Sequence, residues 1–145
     1  MRKRVLILTG CVALVIAATA VTSTSATPKT RSAVPARLVG KWGKTITAAT
    51  WRKHQISYEP AGRFSIAITT KGVLSLFAPT YGFLTTMNVA ARGASVIFGP
   101  TADGFCAGNG SYKWKVSGRT LTLSRIKDDC DARWVLFTSG PWTRR

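Results

Sequence analysis

The chain has 145 residues, of which 21 are Lys or Arg and only 5 Asp or Glu, for a formal net charge of +16. That length supports one hydrophobic core, and the charge balance speaks of a cationic surface that meets anionic polymers, not of a particular fold. A single histidine and three cysteines exclude a tetrahedral metal site without borrowed carboxylates and leave little for acid–base catalysis.

The chain opens Met1-Arg2-Lys3-Arg4, runs apolar from Val5 to about Ala18, and turns to small polar residues through Thr27. A basic start, a short apolar core and a small-residue exit predict a secretory signal peptide over 1–26, cleaved near Ala20 or near Ala26. The apolar run is shorter than the ~20 residues that span ~30 Å of hydrocarbon, so no transmembrane helix is expected in the mature protein. Leu8-Thr9-Gly10-Cys11 offers another option, a lipoprotein box that would anchor the chain through Cys11. The expected location is therefore extracellular, with a net charge near +13 once three basic residues leave with the signal. Residues 27–37 carry Thr, Lys, Arg, Ser and Ala with Pro28 and Pro35, bury too little apolar surface to order themselves, and read as a flexible leader to a domain at 38–145.

From Leu38 onward turn residues recur at short intervals between segments rich in Val, Ile, Thr and aromatics, the pattern of short antiparallel strands. The expected strands are Leu38 to Thr47, Arg63 to Thr70, Val73 to Ala78, Leu84 to Ala91, Ala94 to Phe98, Ser111 to Val116, Arg119 to Ile126 and Arg133 to Thr138. Lys71-Gly72, Arg92-Gly93 and Ser117-Gly118 read as tight hairpins. Between the first two strands, Ala48 to Gln55 holds a short helical segment with Thr47 or Thr50 as its cap. Sequential hairpins and about eight strands predict an all-β, antiparallel up-and-down barrel, whose closure removes exposed edges. Phe64, Ile66 and Ile68 alternate with polar neighbours, as do Tyr112 and Trp114 with Lys113 and Lys115.

Once the signal is removed, Cys106 and Cys130 remain as a pair bound for an oxidising space, which predicts a disulfide. Closing a loop of about 25 residues, it contributes roughly 3 kcal/mol. Asp128, Asp129 and Asp131 crowd around Cys130, where they fix a turn and partner arginines, a calcium ion being the alternative. The lone His54 sits in a basic segment with no partner indicated by spacing, so no catalytic residue, cofactor site or metal site is assigned, and no enzyme is expected. Gly104, Gly108 and Gly110 lack the Lys-Ser/Thr dipeptide of a phosphate loop and read as loop glycines.

Leu38-Val39-Gly40-Lys41-Trp42 resembles the Gly-x-Trp opening of lipocalins and related calycin barrels. Gly110-Ser111-Tyr112-Lys113-Trp114, Leu121-Thr122-Leu123, Asp128-Asp129-Cys130 and Arg133 are similar to a group of secreted lipocalin-like domains from actinobacteria. The resemblance implies that Trp42 plugs one barrel end and that Arg133, from the final strand, packs across it. It also implies binding of a small, largely apolar ligand, with Phe64, Ile66, Ile68, Tyr112 and Trp114 as lining residues, or an accessory or inhibitory role at the cell envelope. The charge carries a second expectation, an anionic envelope polymer held by the basic surface and stacked on Tyr112 and Trp114, with no specific nucleic acid and a monomeric chain.

Overall fold

In the computed structural model the described residues are 34–57 and 59–145, so the expected signal peptide, both cleavage positions and Cys11 lie outside them. Eight strands close into an antiparallel barrel in sequence order: β1 (Gly40–Ile46), β2 (Gly62–Ile68), β3 (Val73–Ala78), β4 (Gly82–Arg92), β5 (Ser95–Thr101), β6 (Gly110–Ser117), β7 (Thr120–Lys127) and β8 (Trp142–Arg144). The three expected hairpins are present, with Gly72, Gly93 and Gly118 at positive φ. Strict alternation explains the interior: Phe64, Ile66 and Ile68 face in from β2, and Leu74, Leu76 and Ala78 from β3.

The expected helical segment is α1 (Ala48–Lys53). Thr47 caps it by accepting from the Thr50 amide at 3.2 Å, and Trp51 is its buried residue. The expected last strand is not a strand. Residues Asp131–Thr138 form a second helix, α2, and the barrel is closed instead by the short β8. Ala132, Arg133, Val135, Leu136 and Phe137 are all buried, so the helix is apolar on most sides and lacks the one-sided stripe that would mark it. Its alternating Arg133, Val135 and Phe137 imitate a strand, an ambiguity that periodicity cannot resolve in a short buried run.

Both helices stand at the same barrel end, because each links strand termini there: α1 joins β1 to β2, and α2 joins β7 to β8. The disulfide Cys106–Cys130, with a Cα–Cα distance of 5.6 Å, ties the β5–β6 loop to the start of α2. The opposite end is floored by the turn at Pro35–Leu38, where the Leu38 amide donates to the Pro35 carbonyl at 2.8 Å. Of positions 34–37, expected in the leader on composition, Val34 joins the core while Ala36 and Arg37 are exposed.

Candidate functional site

The barrel interior is filled on one side and open on the other. Phe98, Tyr112, Phe137 and Trp142 form a chain of ring contacts with centroids 4.6–6.2 Å apart, closing the space between α2 and β5–β8. Between α2 and the β2–β5 wall a cavity of about 210 Å³ remains. Phe64, Leu76, Ala78, Leu84 and Met87 line it from the wall, Trp51 and Pro60 from the α1 side, and Ala132, Leu136 and Phe137 from α2. It reaches the surface beside Tyr81 and Phe105, which are 67% and 56% exposed.

The position of α2 is set by one buried ionic network. Asp128 is fully buried and Arg133 nearly so; Arg133 donates from Nε to Asp128 Oδ2 at 2.6 Å, from Nη2 to Oδ1 at 2.7 Å, and from Nη1 to the Gly99 carbonyl at 2.9 Å. The Tyr112 hydroxyl donates to Asp128 Oδ2, and the Cys130 amide to Oδ1 at 2.9 Å. A Cβ on Gly110 would collide with this carboxylate, so the glycine read as a loop residue is what lets Asp128 enter. Burial alone would raise the Asp128 pKa, but the hydrogen bonds from Arg133, Tyr112 and Cys130 and the guanidinium charge outweigh it and hold it below the usual range. Burial, reinforced by the Asp128 carboxylate, pushes the Tyr112 phenol well above its usual value.

Two further carboxyls line the cavity. Burial raises the pKa of Glu59. Asp103 shifts down: burial opposes ionisation there, but hydrogen bonds from Thr101, the Phe105 amide and Thr85 prevail.

The barrel floor corrects the expected Trp42–Arg133 pair. Trp42 is fully buried, and its Nε1 donates to the Leu38 carbonyl at 3.0 Å. The guanidinium over it, 4.2 Å from the ring centroid, belongs to Arg144, which lies directly across from Trp42 in the β1–β8 register. Arg144 also donates to the carbonyls of Val39 at 3.0 Å and Arg37 at 2.7 Å. A Cβ on Gly40 would stand 2.8 Å from Arg144 Nη1, so the glycine of the opening motif makes room for this fork. The resemblance implies a floor role for Arg133 only if it lies on the final strand; on α2 it serves the interior network instead.

Of the other expected lining residues, Phe64 borders the cavity, while Ile66 and Ile68 are buried in the core below it. Tyr112 is fully buried in the ionic network, so its ring presents no stacking face to solvent. Trp114 is half-buried, with Nε1 donating to the Gly93 carbonyl at 3.0 Å. Lys113 and Lys115 point outward. His54 packs edge-on against Trp134 at 4.9 Å, and among the described residues no carboxylate lies within ion-pairing distance of it. Asp131 accepts from Trp134 Nε1 at 2.9 Å, so the acidic residues around Cys130 face different partners; among the described residues no group of three or more His, Cys, Asp or Glu could hold a metal ion.

Residue-level reading missed Leu76, Ala78, Met87, Leu136 and the rim carboxyls as cavity residues. The inward phase of β3 and β4 was a usable signal for the first three; the α2 contribution had none while that segment read as a strand. Lys44 was missed too: it is 8% exposed, donates to the Gly140 carbonyl at 3.3 Å, sits 4.6 Å over the Trp142 ring, and is pushed by burial down to a pKa of about 7.

No family model and no curated protein matches the chain. Among solved structures, a lipoprotein YedD from Klebsiella pneumoniae is similar at 18% identity, over 73% of this chain and 88% of that one, with a TM-score of 0.41.

Proposed function

We propose that the domain is an extracytoplasmic binding protein, not an enzyme, and that it holds a small, largely apolar molecule in the cavity beside α2. The observation that carries this reading is the cavity itself: about 210 Å³ walled by aliphatic and aromatic side chains and open to solvent on one side. An apolar cavity of ~150 Å³ suffices to bind benzene, so this one suits a single ring or a short acyl chain, below the ~300–1,000 Å³ of drug-sized sites. Arg133 donates to Asp128 and the Gly99 carbonyl, and the lining includes no histidine, which favours binding over catalysis. The disulfide agrees with an oxidising, envelope or extracellular location.

Titration with dimethylaminobenzonitrile, a neutral single-ring dye whose emission strengthens in apolar surroundings, tests the proposal. Saturable enhancement is expected, and it should vanish in Ala78→Phe, whose new ring occupies the cavity from β3. No enhancement, or enhancement undiminished by Ala78→Phe, would remove the binding role from this cavity.

A further inference from the structure

Acidic residues are scarce in this chain, only five against 21 basic ones, yet Glu59 and Asp103 both line the one cavity described above. The remaining three lie at 128–131, where Asp128 is committed to Arg133. Arg133 is the one cation among the described lining residues, and all its donor contacts go to Asp128 and the Gly99 carbonyl, so it does not compensate the rim. Among the described residues, neither Glu59 nor Asp103 has a basic side chain within ion-pairing distance, and no hydrogen bond reaches the Glu59 carboxylate. The rings of Tyr81, Phe105 and Trp51 border the same space.

We infer that the ligand is a cationic amphiphile, with its apolar body among Phe64, Met87 and Leu136 and a protonated or quaternary amine at the rim by Glu59, Asp103 and Tyr81. This rests on the ligand-binding reading of the cavity and adds the chemical class. Carboxylates give an ammonium charge-assisted hydrogen bonds, and aromatic faces add cation–π attraction. The chain's net charge is strongly positive, which by itself favours anions over cations. At physiological ionic strength the screening length is ~8 Å, so a preference for cations has to come from groups at the site.

Calorimetric titration of the protein with phenylbutylamine, phenylbutanol and phenylbutanoate, which share one apolar body, tests this at physiological salt. The amine is expected to bind at least about tenfold more tightly than the alcohol, and the alcohol more tightly than the carboxylate. Glu59→Gln with Asp103→Asn should bring the amine to the affinity of the alcohol and leave the alcohol unchanged; Asn at 103 keeps the side-chain oxygen that accepts from the Phe105 amide. Equal affinity for amine and alcohol, a preference for the carboxylate, or an amine preference that survives the double substitution overturns the inference while leaving the binding role intact. If none of the three binds, the binding role fails and the inference with it.

Discussion

Asp128→Ala would leave the buried Arg133 guanidinium with the Gly99 carbonyl as its remaining acceptor and would deprive the Tyr112 hydroxyl and the Cys130 amide of theirs. Removing one partner of a buried ion pair costs about 3–5 kcal/mol. Set against a domain stability of ~5–15 kcal/mol, that is a large fraction, and α2 is the element that loses its anchor. Arg133→Met should cost less, because Asp128 keeps the hydrogen bonds from Tyr112 and Cys130. Combining the two removes the stranded cation, so the double variant is expected to exceed Asp128→Ala in stability by about 2 kcal/mol. Urea unfolding of the four proteins completes the cycle. Strictly additive losses, or a loss below ~1 kcal/mol for Asp128→Ala, would refute the view that this pair holds the helix in the barrel. The pH dependence has a definite sign: the folded Asp128 carboxyl titrates below its unfolded value, so its contribution is complete above about pH 4 and is lost as the pH falls through the folded value. The double variant should therefore lose less stability in acid than the wild type does.

Arg144→Ala removes the cation over Trp42 and two hydrogen bonds that hold the floor turn, and should cost about 2 kcal/mol in thermal or chemical unfolding. Arg144→Lys should recover little of it, since a single ammonium cannot reach both carbonyls as the planar fork does; full recovery would mean that charge alone matters at this end. Lys44 titrates near 7 when folded and near 10.5 when unfolded, so between those values the unfolded chain holds a proton the folded one does not, and stability rises with pH. Lys44→Met should lack that rise and be more stable near neutrality, by up to about 4 kcal/mol, with the gap closing in alkali. Parallel pH dependences of the two proteins would show that Lys44 keeps its ordinary titration.

Local chemistry announced much of this fold. Dipeptides ending in Gly72, Gly93 and Gly118 specified hairpins because each needs a residue tolerant of positive φ, and those hairpins force sequential antiparallel pairing. Thr47 and Thr50 were the candidate caps for α1 by the same local logic, and it is the Thr47 hydroxyl that satisfies an amide the first helical turn leaves open. The resemblance of Gly40-Lys41-Trp42 to a lipocalin opening, and not local chemistry, implied a tryptophan-plugged barrel end, and the cationic partner of Trp42 was legible only once β8 was known. Arg144 meets Trp42 across the seam between the first and last strands, about 100 residues apart in sequence, and nothing near either residue encodes that register.

The α2 segment shows where local pattern stops. Its residues favour an extended chain by composition, and it becomes helical because closure of the barrel leaves an interior that a short apolar helix can plug, pinned by Asp128–Arg133 at its start and by Cys130–Cys106. The cavity follows from that placement, since it is the space between the helix and the β2–β5 wall that the side chains do not fill. Alternation, turn chemistry, the paired cysteines and the charge are properties of neighbouring residues and of composition, so the sequence alone determined the first seven strands, the class and the disulfide. The helical plug, the Arg144 cap and the placing of Glu59 and Asp103 along one cavity bring distant segments together, which happens only after closure, and tertiary structure alone decided them.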